Sequence, residues 1–285
     1  MDHVLSVKYR LDDNPKLDQF HSHEDFEIYM FHEGVCRYFV NQQIYDLKPG
    51  DILMISSLVL HRPNISENTP YIRSHVHFHP DSISKSLEAV KAEKLLNIFQ
   101  NPQCLIRSND FSATEAIANV FSRMDAVAKS RTYKQAEKEW ELQFLLAQLL
   151  VQVNQLSRRE KAIRPIPSSI KMEHAEKIAA YIQENYSSNI SINDIANYLS
   201  FHKSYVSHVF KEMTGYTIME YVMHTKLRHA RYLLEAKATL PIEEVAYESG
   251  FENASHFSRY FKGKIGMSPK EYRKRRLEIF QINNR

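Results

Sequence analysis

Residues 245–273 read VAYESGFENASHFSRYFKGKIGMSPKEYR, and their spacing decides the fold of the last third of the chain. Phe257 and Phe261 stand four apart, which places them on one buried helix face. Gly250 suits a left-handed turn ahead of that helix, and Gly266 a C-terminal cap behind it. The stretch Ile242-Glu243-Glu244-Val245-Ala246 predicts a short helix over about 242–248, whose small Ala permits a close crossing. Helix, turn and helix in this order make a helix-turn-helix unit.

The unit occurs twice. Ile192-Asn193-Asp194-Ile195-Ala196 matches Ile242-Glu243-Glu244-Val245-Ala246 at an offset of 50. Ser204 to Lys211 matches Ser255 to Lys262 at an offset of 51, as Gly215 matches Gly266 and Tyr221 matches Tyr272. The one-residue slip falls in the turn, read as Ser200-Phe201-His202 in one unit and Ser249-Gly250-Phe251 in the other. Second helices are predicted over about 203–213 and about 253–263, with Val206 and Phe210 buried as Phe257 and Phe261 are. Their outer faces carry Lys203, Ser204, Ser207, His208 and Lys211, and Asn253, Ala254, Ser255, Ser258, Arg259 and Lys262. Small polar and basic side chains suit a helix lying in a major groove. Between the units, 217–235 predicts one helix about 28 Å long at 1.5 Å per residue. That length sets two reading helices about one DNA turn, near 34 Å, apart.

Charge follows the same division. The whole chain of 285 residues is +3, but 171–285 holds 17 Lys and Arg against 13 Asp and Glu, while 1–170 holds 20 against 21. A basic excess in the tail fits nucleic-acid contact there. No apolar run approaches the roughly 18 residues that span a bilayer, and the start lacks the basic and apolar regions of a secretory signal. A cytoplasmic protein with no membrane association is expected. Cys36 and Cys104 form no CxxC pattern and read as buried small hydrophobes.

The stretch quoted above resembles the signature of AraC/XylS-type transcription regulators over about 30 residues, and 174–277 as a whole resembles that family's two-unit DNA-binding domain. The resemblance implies DNA reading through Ser204, Ser207 and His208, and through Ser255, Ser258 and Arg259. Arg259 is the sole guanidinium among these readers.

The first half has another texture. Residues 4–80 break into short β-branched and aromatic runs, such as Phe26 to Phe31 and Ile52 to Ile55, separated by turn signals at Glu33-Gly34, Asn41-Gln42 and Lys48-Pro49-Gly50-Asp51. They predict a barrel or sandwich. His21, His23 and Glu27 follow HxHxxxE, with Gly34 and the later His61, a spacing that resembles the two motifs of cupin barrels. In metal-binding cupins those four side chains hold an ion, and imidazole with carboxylate suits Zn, Fe, Mn or Ni. Here Ser56 and Leu58 stand where such motifs usually have Pro and Gly, and AraC-type sensor barrels commonly keep these histidines without metal. Neither metal nor cofactor is expected. His75, His77 and His79 share one strand parity and, with Tyr29, Arg37 and Arg62, are candidates to line a polar cavity. The expected effector contacts are therefore His21, His23, Glu27, Tyr29, Arg37, His61, His75 and His77.

After residue 82 the pattern turns helical. Ser112 with Glu115 reads as a capping box. Leu142, Leu145, Leu146, Leu149, Leu150, Val153 and Leu156 form one stripe that must bury against the barrel, the preceding helix or a second subunit. Two prolines, three arginines and three serines in 157–170 read as an exposed linker.

The expected architecture is α+β: a cupin-like barrel over 1–110, a helical coupling and dimerisation segment over 111–156, a linker over 157–170 and tandem helix-turn-helix units over 171–285. The expected function is sequence-specific regulation of transcription, as an activator that answers a sugar or related metabolite. Its partners would be promoter DNA, the effector, a second copy of the chain and RNA polymerase. Two rivals are a metal-dependent cupin enzyme carrying a DNA-binding appendage, and a barrel that only dimerises.

Overall fold

The computed structural model describes residues 5–12, 25–40, 42–57, 59–66, 69–100, 104–160 and 168–283. His21 and His23 lie outside the described residues, as does Leu58. The chain divides into two compact units, 1–168 and 169–285.

The first unit opens with strands β1 (Ser6–Asp12), β2 (Phe26–Gly34), β3 (Cys36–Val40), β4 (Gln43–Asp46), β5 (Ile52–Ile55), β6 (His61–Ile65) and β7 (Tyr71–Phe78). Helix α1 (Asp81–Ala89), a 3-10 helix (Glu93–Gln100) and strand β8 (Leu105–Ile106) follow. Two antiparallel sheets result, in the orders β1-β7-β2-β5-β8 and β4-β3-β6. Period-two alternation gives the larger sheet two apolar faces. Tyr29, Phe31, Leu53, Ile55 and Tyr71 meet Cys36, Tyr38, Val40 and Tyr45 of the smaller sheet in one core. Ile28, Met30, Ile52, Met54, Val76 and Phe78 point the other way, into a core shared with helices α2 (Phe111–Lys129) and α3 (Gln135–Arg159).

Two details of the helical segment differ from the sequence reading, and the leucine stripe takes two of the three partners that the reading allowed. Helix α2 starts earlier, because the Asp110 carboxylate accepts from Ala113 N–H at 3.0 Å and so outcompetes Ser112 as the cap. Helix α3 runs on to Arg159, which makes the first three residues of the expected linker helical. The leucine stripe is spent within the chain. Leu142, Leu145, Leu146, Leu149, Leu150, Val153 and Leu156 are all buried in the core beneath the larger sheet and α2. Asn154, on the same face, donates to Leu95 O at 2.9 Å and ties α3 to the 3-10 helix.

The second unit is all helix: α4 (Ile170–Asn185), α5 (Ile192–Leu199), α6 (Lys203–Thr214), α7 (Ile218–Ala236), α8 (Ile242–Glu248), α9 (Ala254–Ile265) and α10 (Pro269–Asn283). Among the described residues no helix is long and apolar enough to cross a membrane.

Burial of the stripe generates a test. Leu146 has no exposed surface, so Leu146→Asp places an unpaired charge in the core and unfolds the chain, seen as lost near-ultraviolet circular dichroism. Leu146→Ala should cost about 2–5 kcal/mol in urea unfolding. A soluble, folded monomer from Leu146→Asp would return the stripe to a subunit seam.

Candidate functional site

Local signals aim the two outward helices. Helix α5 begins in a capping box in which Asp194 Oδ2 accepts from Ser191 N–H at 2.7 Å, and α7 repeats the device with Glu220 and Thr217 N–H at 2.8 Å. Helices α6 and α9 end on Gly215 and Gly266, left-handed at φ 76° and 84°, whose N–H groups return to Lys211 O and Lys262 O, each at 2.9 Å.

The turns align differently from the sequence reading. Phe201 N–H meets Ala196 O and Phe251 N–H meets Ala246 O, both at 2.9 Å. Ser200 therefore corresponds to Gly250, and both are left-handed, at φ 57° and 81°. The helix N-caps His202 and Asn253 then correspond, and Glu252 is the extra residue.

Val206, Phe210, Phe257 and Phe261 are fully buried. This leaves Lys203, Ser204, His208 and Lys211 exposed on α6, with Ser207 half-buried. Ser255, Arg259 and Lys262 are exposed on α9, with Ser258 half-buried. Asn253 is exposed too, but its side chain is committed to the cap, accepting from His256 N–H at 2.7 Å. The two faces are chemically unequal. His208 Nε2 lies 3.4 Å from Glu212 Oε2, and Glu212 also holds Lys171 Nζ at 2.9 Å. Among the described residues no ion pair engages Arg259, and the position matching Glu212 is Gly263.

The interior between the two sheets holds a second cluster. Glu27, only 4 % exposed, stands on β2 opposite His77 of β7. Its Oε2 lies 3.3 Å from His77 Nε2 and 3.3 Å from His61 Nε2. His61 Nδ1 lies 2.8 Å from Val59 O and so serves as a donor. Its Nε2 edge then faces the Glu27 carboxylate. His75 stacks on His77 at 4.8 Å, and the Tyr38 ring lies parallel to His61 at 6.4 Å. Deeper in, Tyr29 OH donates to Tyr71 OH at 3.1 Å, and the Arg73 guanidinium sits 4.4 Å over the Tyr71 ring. Burial raises the Tyr29 and Tyr71 hydroxyls well above their ordinary range. It likewise pushes the free thiols of Cys36 and Cys104 up to about 12 and about 11.

Glu27, Tyr29, His61, His75 and His77 thus come together. Arg37 does not join them: it is on the opposite face of β3 from Tyr38, and its Nε donates to Asp46 at 3.0 Å. Arg62 shares the register of Phe39 and faces away likewise. His79 lies past the end of β7 and accepts from Asp81 N–H at 3.3 Å. Tyr71 and Arg73 join the interior without having been expected there. Their parity with His75 and His77 was the available signal. Among the described residues no group of three or more His, Cys, Asp or Glu is arranged to hold a metal ion.

Family comparisons match both halves. Residues 9–153 match the AraC-like ligand binding domain, and 195–275 match a helix-turn-helix domain. The chain belongs to the AraC family of transcription regulators. Within the family it is similar to the Msm operon regulatory protein of Streptococcus mutans, 26% identical over 88% of this chain and 84% of that one. The melibiose operon regulatory protein of Escherichia coli is 30% identical over 35% of this chain and 33% of its own length. Among solved structures, ToxT of Vibrio cholerae aligns over 95% of this chain and 96% of its own, at 17% identity and a TM-score of 0.37. As an AraC-family member with these two domains, the chain is a DNA-binding regulator with a ligand-binding domain, and not an enzyme.

Proposed function

We propose that this AraC-family chain activates transcription in the cytoplasm by laying α6 and α9 in successive major grooves of a promoter, under control of a sugar or similar hydroxyl-rich effector. The observation that carries the DNA mode is the matched pair of polar outer faces on helices of equal length, joined by α7. At 19 residues α7 is about 28 Å long. The DNA contacts are Lys203, Ser204, Ser207, His208 and Lys211 on one helix, and Ser255, Ser258, Arg259 and Lys262 on the other. Asn253 contributes chiefly by capping α9. The second unit dominates sequence readout, because Arg259 is free for a bidentate guanine contact while His208 leans on Glu212.

The effector reading rests on the interior cluster. Glu27 supplies an acceptor, His61, His75 and His77 supply ring nitrogens, and Tyr29, Tyr38 and Tyr71 supply aromatic faces with hydroxyl tips. That mixture suits a ligand with many hydroxyls and a C–H face. A relative named for a melibiose operon, melibiose being a disaccharide, supports the class. A homodimer is proposed through the outer face of α3, where Trp140, Phe144 and Val151 are 61%, 76% and 40% exposed at helical spacing. RNA polymerase is the further partner that activation requires.

Three measurements check these readings. On an operator selected from random DNA, Arg259→Ala should weaken binding by about 1–3 kcal/mol and His208→Ala by clearly less; equal losses count against the asymmetry. A panel of mono- and disaccharides should include one that raises the melting temperature of the parent but not of Glu27→Gln. If none does so, the sugar class is abandoned. Phe144→Glu should sediment as a folded monomer where the parent is a dimer, and an unchanged dimer removes α3 from the interface.

A further inference from the structure

The two turns differ in a way that turn geometry does not explain. Ser200 and Gly250 hold the same left-handed position, and each is followed by a Phe N–H bonded to an Ala carbonyl at 2.9 Å. The turn itself therefore accepts a side chain. At 250 something else forbids one. A Cβ there would lie 2.8 Å from Tyr186 O, 2.8 Å from Ser187 Cα and 2.9 Å from Ser187 O, all of them backbone atoms. Glycine is required by the approach of another segment, residues 186–189 of the loop that joins α4 to α5 beside the first helix-turn-helix unit.

Other bonds converge on the same spot. Lys226 of α7, largely buried, donates from Nζ to Gly250 O at 2.6 Å. Asn189 Nδ2 donates to Glu252 Oε1 at 3.0 Å. Glu252 is the residue by which the second turn exceeds the first. The Tyr186 ring packs against His229 of α7 at 5.4 Å, which anchors the loop from behind.

We propose that loop 186–189, Gly250, Glu252 and Lys226 form a brace that locks the two helix-turn-helix units in one relation, so that the protein dictates the spacing of the two DNA boxes it reads. These are positioning residues and touch no base. The inference rests on the reading in which both α6 and α9 enter the duplex. Helix α7 alone would be a single strut, free to bend and twist. The brace is a second connection between the same two bodies, and it closes a ring. One inserted base pair displaces a box by about 3.4 Å and turns it by about 35° on the helix of roughly 10.5 base pairs per turn. A braced pair of readers cannot follow such a change.

The test uses the full chain and a two-box site selected from random DNA. Probes carry the selected spacing, one base pair more, one fewer, or a scrambled box. The parent should lose about tenfold in affinity at either altered spacing, a loss comparable to a mismatched base pair. Asn189→Ala with Glu252→Ala, both at exposed positions that leave the core intact, should reduce that loss to about threefold or less while leaving single-box affinity unchanged. Gly250→Ala should do the same more severely, and Ser200→Gly should change nothing. In parallel, spin labels at Asn197→Cys and Glu244→Cys, exposed on α5 and α8, report the distance between units without DNA. A narrow distribution in the parent that broadens in the double variant supports the brace. An equally narrow distribution, or a full spacing penalty, in the double variant overturns it. Selection of sites with a single box would defeat the two-groove reading instead, and the label distances would still decide the brace.

Discussion

A hydrogen bond from a phenylalanine N–H to an alanine carbonyl closes each helix-turn-helix corner, and the DNA-binding half is arranged around those two corners. The bond exists only because the residue before the phenylalanine is left-handed, which turns the chain sharply enough for α6 to leave α5, and α9 to leave α8, with one face on the core. Burial of Phe210, Phe257 and Phe261 then removes all rotational choice. Whatever lies opposite those rings must be presented outward, and there the sequence places its serines, its lysines and Arg259.

In the sensor half the governing constraint is the alternation of the β2, β5 and β7 side chains. One parity packs on the helices and the other on the smaller sheet, which leaves Glu27, on the second parity, buried. A carboxylate on the second parity, Glu27, must accept imidazole neighbours in place of water. That makes the cluster an expensive one to maintain for packing alone, and it is the chemical basis for reading it as a recognition site.

Much of this was legible in the residues. The tandem units, their helix limits and their glycine caps carry local signals, and repetition at an offset of about 50 turned weak signals into a firm pattern. The position of the one-residue slip was not legible, because Ser249-Gly250 and Ser200 align equally well until the backbone bonds are known. The strand histidines shared a parity, but the meeting of Glu27 with His77 depends on β2 pairing β7 across about 50 residues, and no short-range pattern encodes that. The leucine stripe announced that one face of α3 is buried and was silent on what buries it. Asp110 and Ser112 are both good caps, and only the path of the chain chose between them. Arg37 and Arg62 have the right chemistry for an effector site, yet each lies one residue away from the inward parity.

The inequality of α6 and α9 has a geometric corollary. Two identical reading helices in tandem would ask for the same box twice. In the proposed two-groove mode, an arginine-bearing helix and one in which histidine is paired with glutamate ask for two different boxes in a fixed order, so that turning the DNA site end for end turns the protein with it. Inverting a whole two-box site would thus reverse the bound chain on the promoter with every base contact kept.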